Sequence, residues 1–468
     1  MTITENNKEF QHAKVFGKQP EVILENPCRI GDGIICHPEN EKHFFIQKFT
    51  NASTHIHLFI PASGSGSRMF QFLFDFLEVP DDENRGKVER FLNHLDDFAF
   101  SRKIAPAIKS KLENNEIDLE QFVHYVVSES GLDFGQIPKG LIPFHKYGYF
   151  ILNPFQEQVL QAALLNGGIS KVHFTINPQF KEIIESSLEQ IKEISGFEFS
   201  IEFSSQNPTS NSIAFTEDGN ALLLDNGTPL SRPSGHGALL PNLNEIDADI
   251  IFIKNIDNIQ HQVQAKQPLE EIQYISGVLM QFNEELKALF ANKKVDREAV
   301  RSFLTKYELA KNTDAILTLS DEELHKWMNK PRRVCGMVKN EGQPGGGPFW
   351  VKKDETITKQ IIEKTQINLS SQQYNLMIKS SHFNPVMMAC DIKGLNGEKL
   401  NLEDYCDNES YFIVKKRYKG KTVQFVEQPG LWNGSMADWH TVFVEIPSTA
   451  FSPVKIVLDL LEDTHREL

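Results

Sequence analysis

From Ile56 onward, short apolar runs alternate with longer amphipathic ones. IHLFI, starting at Ile56, is almost wholly apolar and reads as a buried parallel strand. A glycine-serine stretch follows, and then MFQFLFDFLEV, a helix-like run. Residues from about 70 to 135 are charged, but Val88, Phe91, Leu92 and Leu95 recur at helical spacing. That spacing predicts an amphipathic helix with its apolar stripe on the core and its charges in water. PKGLIPFHKYG leads to a helix through FQEQVLQAALL, the strand KVHFTI, the helix QFKEIIESSLEQIKEI, the strand FEFSIEFS and the strong strand ADIIFIKN. Alternation of this kind predicts an α/β fold, a largely parallel sheet with helices on its faces. A Glu-, Lys- and Leu-rich helical region spans about 267 to 330. Beyond Pro331 the pattern changes to strands and glycine turns (RRVCGMV, GGGPFWVK, YFIVKKRY, TVFVEIP). The expected division is an N-terminal extension over 1–50, a core over 51–330 with a helical insertion at 70–135, and a β-rich region over 331–468.

Composition narrows the partners. A chain of 468 residues with a formal charge of −15 argues against a nucleic-acid groove or an anionic membrane surface. Any phosphate it binds must be met by a few locally placed cations or a metal ion. Phe outnumbers Tyr and Trp, 34 against 9 and 4, so aromatic rings serve burial more than recognition. The five Cys residues form no CxxC pair, and the N-terminus has no apolar leader. No apolar run reaches membrane-spanning length, and a cytoplasmic location is expected. Cys28, Cys36, His37, His43, His55 and His57 gather near the N-terminus and raise a metal site. Their spacing fits no common zinc pattern, and they read as scattered core and surface residues.

Five stretches carry candidate chemistry. In PASGSGSRM, Gly64 and Gly66 permit a tight turn with bare backbone N–H groups, and Arg68 adds a guanidinium, so the loop suits phosphate. It lacks the Walker lysine and the third glycine of a dinucleotide fingerprint, and a simple strand-to-helix turn is the alternative. In SRPSGHG, Gly235 and Gly237 flank His236 and let the backbone approach a flat ligand; the alternative is a helix-entry turn. NIDN ends the strong strand, where open α/β sheets place ligands, and Asp257 suits Mg²⁺ or a plain turn cap. PKGL offers Lys139 and FSPVK offers Lys455, both otherwise ordinary surface lysines.

Together, and in chain order, SGSGSRM, PKGL, Gln206 in SSQNP, PSGHG, NIDN and FSPVK resemble the UDP-sugar pyrophosphorylases, the UTP–glucose-1-phosphate uridylyltransferase and UDP-N-acetylglucosamine pyrophosphorylase type. The resemblance covers about 55–260 and 445–460. RVCGMVKNEGQPGGGPFWV also resembles a DUF4301-like group of uncharacterised bacterial proteins within that superfamily. The resemblance implies a three-layer Rossmann-like nucleotide-diphospho-sugar transferase core with a mixed, mostly parallel sheet. It implies a Mg²⁺-dependent transfer of a nucleotidyl group from a UTP-like triphosphate to a sugar 1-phosphate, with pyrophosphate as co-product. Ala62, Ser63, Gly64, Ser65, Gly66 and Ser67 would wrap the nucleotide phosphates. Arg68 would clamp the leaving pyrophosphate, and Lys139 and Lys455 would neutralise phosphate. Gln206, Gly235 and His236 would meet base and ribose, and Asp257 would hold Mg²⁺.

The chain departs from that pattern in Ala62–Ser63, which replaces two adjacent glycines, and in the long insertion between Arg68 and Lys139. The insertion reads as a lid or an interaction surface. Sugar contacts are expected from Glu341 near Gly345–Gly347, and from His382 and Asn384. A glycine-rich hairpin and a satisfied core histidine are the alternatives. Trp432 in PGLWNGSMADW would stack a ring or pack a turn. Competing functions are a glycosyltransferase with a nucleotide-sugar donor and a non-catalytic nucleotide-sugar binder.

Overall fold

A computed structural model of the chain describes residues 5–54, 56–165, 171–291, 295–342, 345–353, 356–368 and 372–467. His55, and Gln343 and Pro344 of the glycine-rich stretch, lie outside them. The fold is α/β with a mixed, mostly parallel sheet, a helical insertion and a β-rich C-terminal part. The chain forms two compact units that interleave along the sequence. One comprises 1–56, 206–253 and 272–448, the other 57–205, 254–271 and 449–468. The expected boundaries near 50 and 330 do not coincide with these. At Pro331 the chain runs straight into the strand Arg332–Lys339, whose two arginines are buried. A composition shift there marks a change from helix to sheet inside one unit.

In the unit that begins at His57, three parallel strands lie side by side: Ile56–Pro61, Lys171–Thr175 and Ser200–Ser204. The insertion is helical, with helices at Gln71–Glu78, Asp82–Asn93, Pro106–Glu113 and Leu119–Val127. Asp81 and Asp118 cap two of them by accepting N–H bonds at 2.8 Å each. Here the abundant phenylalanine is used. Phe70, Phe76, Phe91, Phe98, Phe100, Phe122 and Phe134 share one buried cluster, and Phe98 stacks on Phe100 at 5.1 Å. Burying each ring contributes about 2–3 kcal/mol. Ile142, Phe144, Ile259, Val454 and Val457 belong to the same cluster. The insertion is therefore the core that anchors the segments carrying Asp257 and Lys455.

In the other unit, parallel pairing joins Arg29–Ile30, Gly33–Ile35, His440–Glu445 and Arg332–Lys339, and Met387–Asp391 adds antiparallel to the last. Two small antiparallel sheets accompany it. One is Leu24–Pro27, Gly347–Lys353 and Thr356–Ile362; the other is Phe215–Thr216, Lys421–Glu427 and Phe412–Tyr418. The strands on either side of the glycine-rich stretch, Arg332–Lys339 and Gly347–Lys353, thus belong to two different sheets. No described helix is long and apolar enough to cross a membrane.

Candidate active site

Four segments distant in sequence are joined in pairs by main-chain hydrogen bonds. Strand Ile56–Pro61 ends where the Ala62 N–H donates to the Thr175 carbonyl at 2.9 Å. The glycine loop then pairs with the PKGL turn: Gly66 N–H donates to Ile137 O at 2.9 Å, and Lys139 N–H donates to Gly64 O at 3.0 Å. On the other side, Val454 N–H donates to Asp257 O and Ser452 N–H to Asn258 Oδ1, both at 3.1 Å. Ion pairs join the two halves. Asp257 Oδ2 accepts from Lys139 Nζ at 2.8 Å and from Lys455 Nζ at 3.0 Å. Lys139 Nζ also donates to the Val454 carbonyl.

The cluster carries two ammonium groups on one carboxylate, mostly out of water. The side chains of Lys139 and Asp257 are 14 % and 11 % exposed, and that of Lys455 is 50 % exposed. Burial alone would raise the Asp257 carboxyl, but the two lysines outweigh it and hold the carboxyl below its usual range. Burial pulls Lys139 down, opposed by Asp257. Asp257 Oδ1 is buried and, among the described residues, without a hydrogen-bond partner. The two ammonium groups, with the Asp459 carboxylate also acting on Lys139, stand beside a loop whose Ser63, Gly64 and Ser65 are exposed. Among the described residues, the N–H groups of those three donate to nothing, whereas that of Gly66 is taken by Ile137. Arg68 is exposed beside them and makes no ion pair with another described residue.

The two loop glycines do different work. A Cβ at Gly66 would lie 2.6 Å from Ile142 Cδ1 and 2.7 Å from Phe134 O, while at Gly64 it would meet nothing within 4 Å. Gly66→Ala is therefore expected to cost about 1–3 kcal/mol of stability. Gly64→Ala should melt like the parent, so any activity it loses reflects contact with a ligand; thermal melts of both variants check this. Gly140 is likewise structural, its Cβ position lying 2.6 Å from Phe155. One expected helix is shorter than its sequence suggests: the run after Ser65 begins as a 3₁₀ turn, Gly66–Phe70, and the segment after Lys455 forms a second 3₁₀ turn, Val457–Leu461. Asp459 fixes the second by accepting N–H bonds from Lys455 and Ile456 at 2.6 and 2.8 Å.

A buried polar chain, absent from the sequence-based expectations, tethers the segment that carries Lys455. Tyr147 donates to Glu157 Oε2 at 3.0 Å, and Glu157 Oε1 meets His145 Nδ1 at 2.8 Å. His145 Nε2 meets His465 Nδ1 at 3.0 Å, and His465 Nε2 meets Ser452 Oγ at 3.1 Å. Burial pushes the Glu157 carboxyl up to about 8 and both imidazoles down to about 3. With all groups neutral, each proton in the chain has one acceptor: Glu157 O–H donates to His145, whose Nε2–H donates to His465. The raised Glu157 pKa contributes stability below its ordinary value of 4.5 that is lost as pH rises through about 8. The lowered histidines act oppositely, with stability present above 6.5 and lost as pH falls toward 3. Gln is isosteric with the neutral acid. Glu157→Gln is thus expected to raise the melting temperature at pH 8 relative to the parent and leave the acid limb unchanged. A pH–Tm profile identical to the parent's would contradict it.

The remaining candidate residues belong to the other unit. Gln206 is held in its own loop, donating to Ser210 Oγ at 3.1 Å. With its amide turned over, it would instead accept from Ser210 Oγ at 3.1 Å and Ser234 N at 3.0 Å and donate to the Ser234 carbonyl at 3.1 Å. The space Gly235 leaves is filled by Glu427, whose Oε2 would lie 2.6 Å from a Cβ, and that at Gly237 by the Pro429 carbonyl. Those glycines serve the chain's own packing. His236 stacks on Trp432 at 3.9 Å and 9°, and its Nδ1 accepts from Leu431 N–H at 2.8 Å. One face of the tryptophan is thereby covered. His382 is buried, with Nδ1 2.9 Å from Ser381 Oγ, and Glu341 is exposed. Asn384 is buried; its Oδ1 accepts from Val386 N–H at 3.0 Å, while its Nδ2 has no partner among the described residues.

Residues 2–466, nearly the whole chain, match the domain of unknown function DUF4301. The chain belongs to the DUF4301 family. No curated protein matches its sequence. Among solved structures, a point mutant of UDP-glucose pyrophosphorylase from Leishmania major matches at 13 % identity and TM-score 0.44, over 96 % of this chain and 73 % of that one. A putative UDP-N-acetylglucosamine pyrophosphorylase of Entamoeba histolytica matches at 14 % and 0.45, over 91 % and 82 %. The inositol-1-phosphate CTP transferase of T. maritima matches at 7 % and 0.33, over 85 % and 87 %.

Proposed function

We propose that this DUF4301 protein is a Mg²⁺-dependent nucleotidyltransferase, joining a UTP-like nucleoside triphosphate to a sugar 1-phosphate and releasing pyrophosphate. The observation that carries the reading is the Lys139–Asp257–Lys455 cluster, tied by backbone hydrogen bonds to a glycine loop with exposed, unpaired amides. A sugar-phosphate oxygen attacks the α-phosphorus in line as the pyrophosphate bond breaks, so the protein's task is to position reactants and neutralise charge. Ser63–Ser65 offer N–H groups to phosphate oxygens, and Arg68 offers a fork to the leaving pyrophosphate. Lys139 and Lys455 turn from Asp257 toward phosphate. The free Asp257 Oδ1 fits Mg²⁺, which commonly takes one carboxylate together with substrate phosphates. When bound, Mg²⁺ would supply positive charge to those phosphates. No Ser or Cys nucleophile is needed, and Ser63 and Ser65 sit in no GxSxG elbow.

The reverse direction separates this reading from a glycosyltransferase. Nucleotide sugars incubated with pyrophosphate and Mg²⁺ are expected to yield nucleoside triphosphate. Release of nucleoside diphosphate instead, with the sugar passed to an acceptor, would support the glycosyltransferase and overturn the proposal.

A further inference from the structure

His57, His173 and Glu202 stand on three neighbouring parallel strands and converge on one point. Their donor atoms lie within 4.8 Å of one another. His57 Nε2 is 3.6 Å and His173 Nδ1 is 3.7 Å from the same carboxylate oxygen, Glu202 Oε2. The register explains the grouping: His173 is paired with Phe59 on one side and with Glu202 on the other, and His57 lies two residues before Phe59 on the same face.

Both imidazoles are buried, His57 3 % and His173 7 % exposed, yet among the described residues neither nitrogen of His57 nor Nδ1 of His173 has a hydrogen-bond partner. Buried polar atoms are rarely left so, because each forfeits its hydration without return. The other atoms of the group are accounted for. His173 Nε2 contacts Ser204 Oγ at 2.7 Å, which orients the ring with Nδ1 toward Glu202, as partners of ligating histidines do. Lys171 Nζ lies 3.4 Å from Glu202 Oε1, leaving Oε2 to the imidazoles.

We propose that His57, His173 and Glu202 form a binding site for a divalent transition ion of the zinc type, with a fourth position open toward solvent beside the half-exposed Glu202. Two imidazole nitrogens and one carboxylate oxygen suit such an ion. Bonds of about 2.0–2.1 Å in a tetrahedron set donor atoms roughly 3.4 Å apart. The two measured edges are close to that, and only the His–His edge has to close. The ion would staple three strands, the first of which runs directly into the glycine loop. The proposal is independent of the nucleotidyltransferase reading.

The full-length protein, freed of metal with a chelator, is titrated with Zn²⁺ against a chromophoric competitor, and separately with Co²⁺. One high-affinity equivalent is expected, with the intense visible absorption of tetrahedral Co²⁺ and a rise in melting temperature. His173→Gln and Glu202→Gln should weaken binding at least about 10-fold. Glu202 is half-exposed, so its variant folds even if a buried one does not. Binding equal in parent and Glu202→Gln, or a pale octahedral Co²⁺ spectrum, would overturn the site. So would an absence of any high-affinity equivalent.

Discussion

Asp257→Asn is expected to lower the rate of nucleotidyl transfer by about 10²–10³-fold, the size of loss that follows removal of one preorganised electrostatic group from a catalytic site. The same change acts on the fold. It removes the carboxylate charge paired with Lys139 Nζ, leaving the buried ammonium, among the described residues, with the amide oxygen of the substituted side chain and the Val454 carbonyl. Breaking a buried pair costs about 3–5 kcal/mol; half-exposure of Lys455 and the retained carbonyl place this case at the lower end. The variant should therefore melt below the parent. Lys455→Met separates the two effects. Its side chain is half-exposed, so melting should change little while turnover still falls by about 10-fold or more. Parent-like turnover in Asp257→Asn would remove the carboxylate from the reaction.

Arg68→Ala carries the second large effect, with the opposite balance. Arg68 is exposed and makes no ion pair with another described residue, so its loss should leave stability within about 0.5 kcal/mol. Turnover is expected to fall by about 10²-fold, through kcat more than through the KM for triphosphate, because charge on the leaving pyrophosphate grows in the transition state. Arg68→Lys should restore only part of this, since an ammonium lacks the bidentate fork. Equal kcat in parent and Arg68→Ala would take Arg68 out of the site.

The segments that carry the glycine loop, Lys139, Asp257 and Lys455 were legible because each is local. A strand end, two glycines, a lysine after proline and a carboxylate after an apolar run announce themselves within a few residues. Their convergence was legible only as chain order; the hydrogen bonds from Gly64 to Lys139 and from Asp257 to Val454 join positions that no periodicity connects. The reading of Gly235 and Gly237 failed to foresee what fills the space, because Glu427 and Pro429 arrive from a strand and turn far along the chain. The helical insertion showed its helices through the spacing of Val88 and Phe91. Its service as the anchor for Val454 and Val457 depends on tertiary packing. His57 was noticed among N-terminal histidines and cysteines, but the residues it faces, His173 and Glu202, come from other strands and leave no spacing pattern.

The most direct test is phosphorus NMR of the protein with Mg²⁺, each nucleoside triphosphate in turn and a panel of sugar 1-phosphates. The expected result is pyrophosphate and a nucleotide-sugar diphosphate appearing in equal amounts for at least one pair, and far more slowly with Arg68→Ala. Orthophosphate with nucleoside diphosphate, or an unchanged spectrum with every pair, would contradict the account.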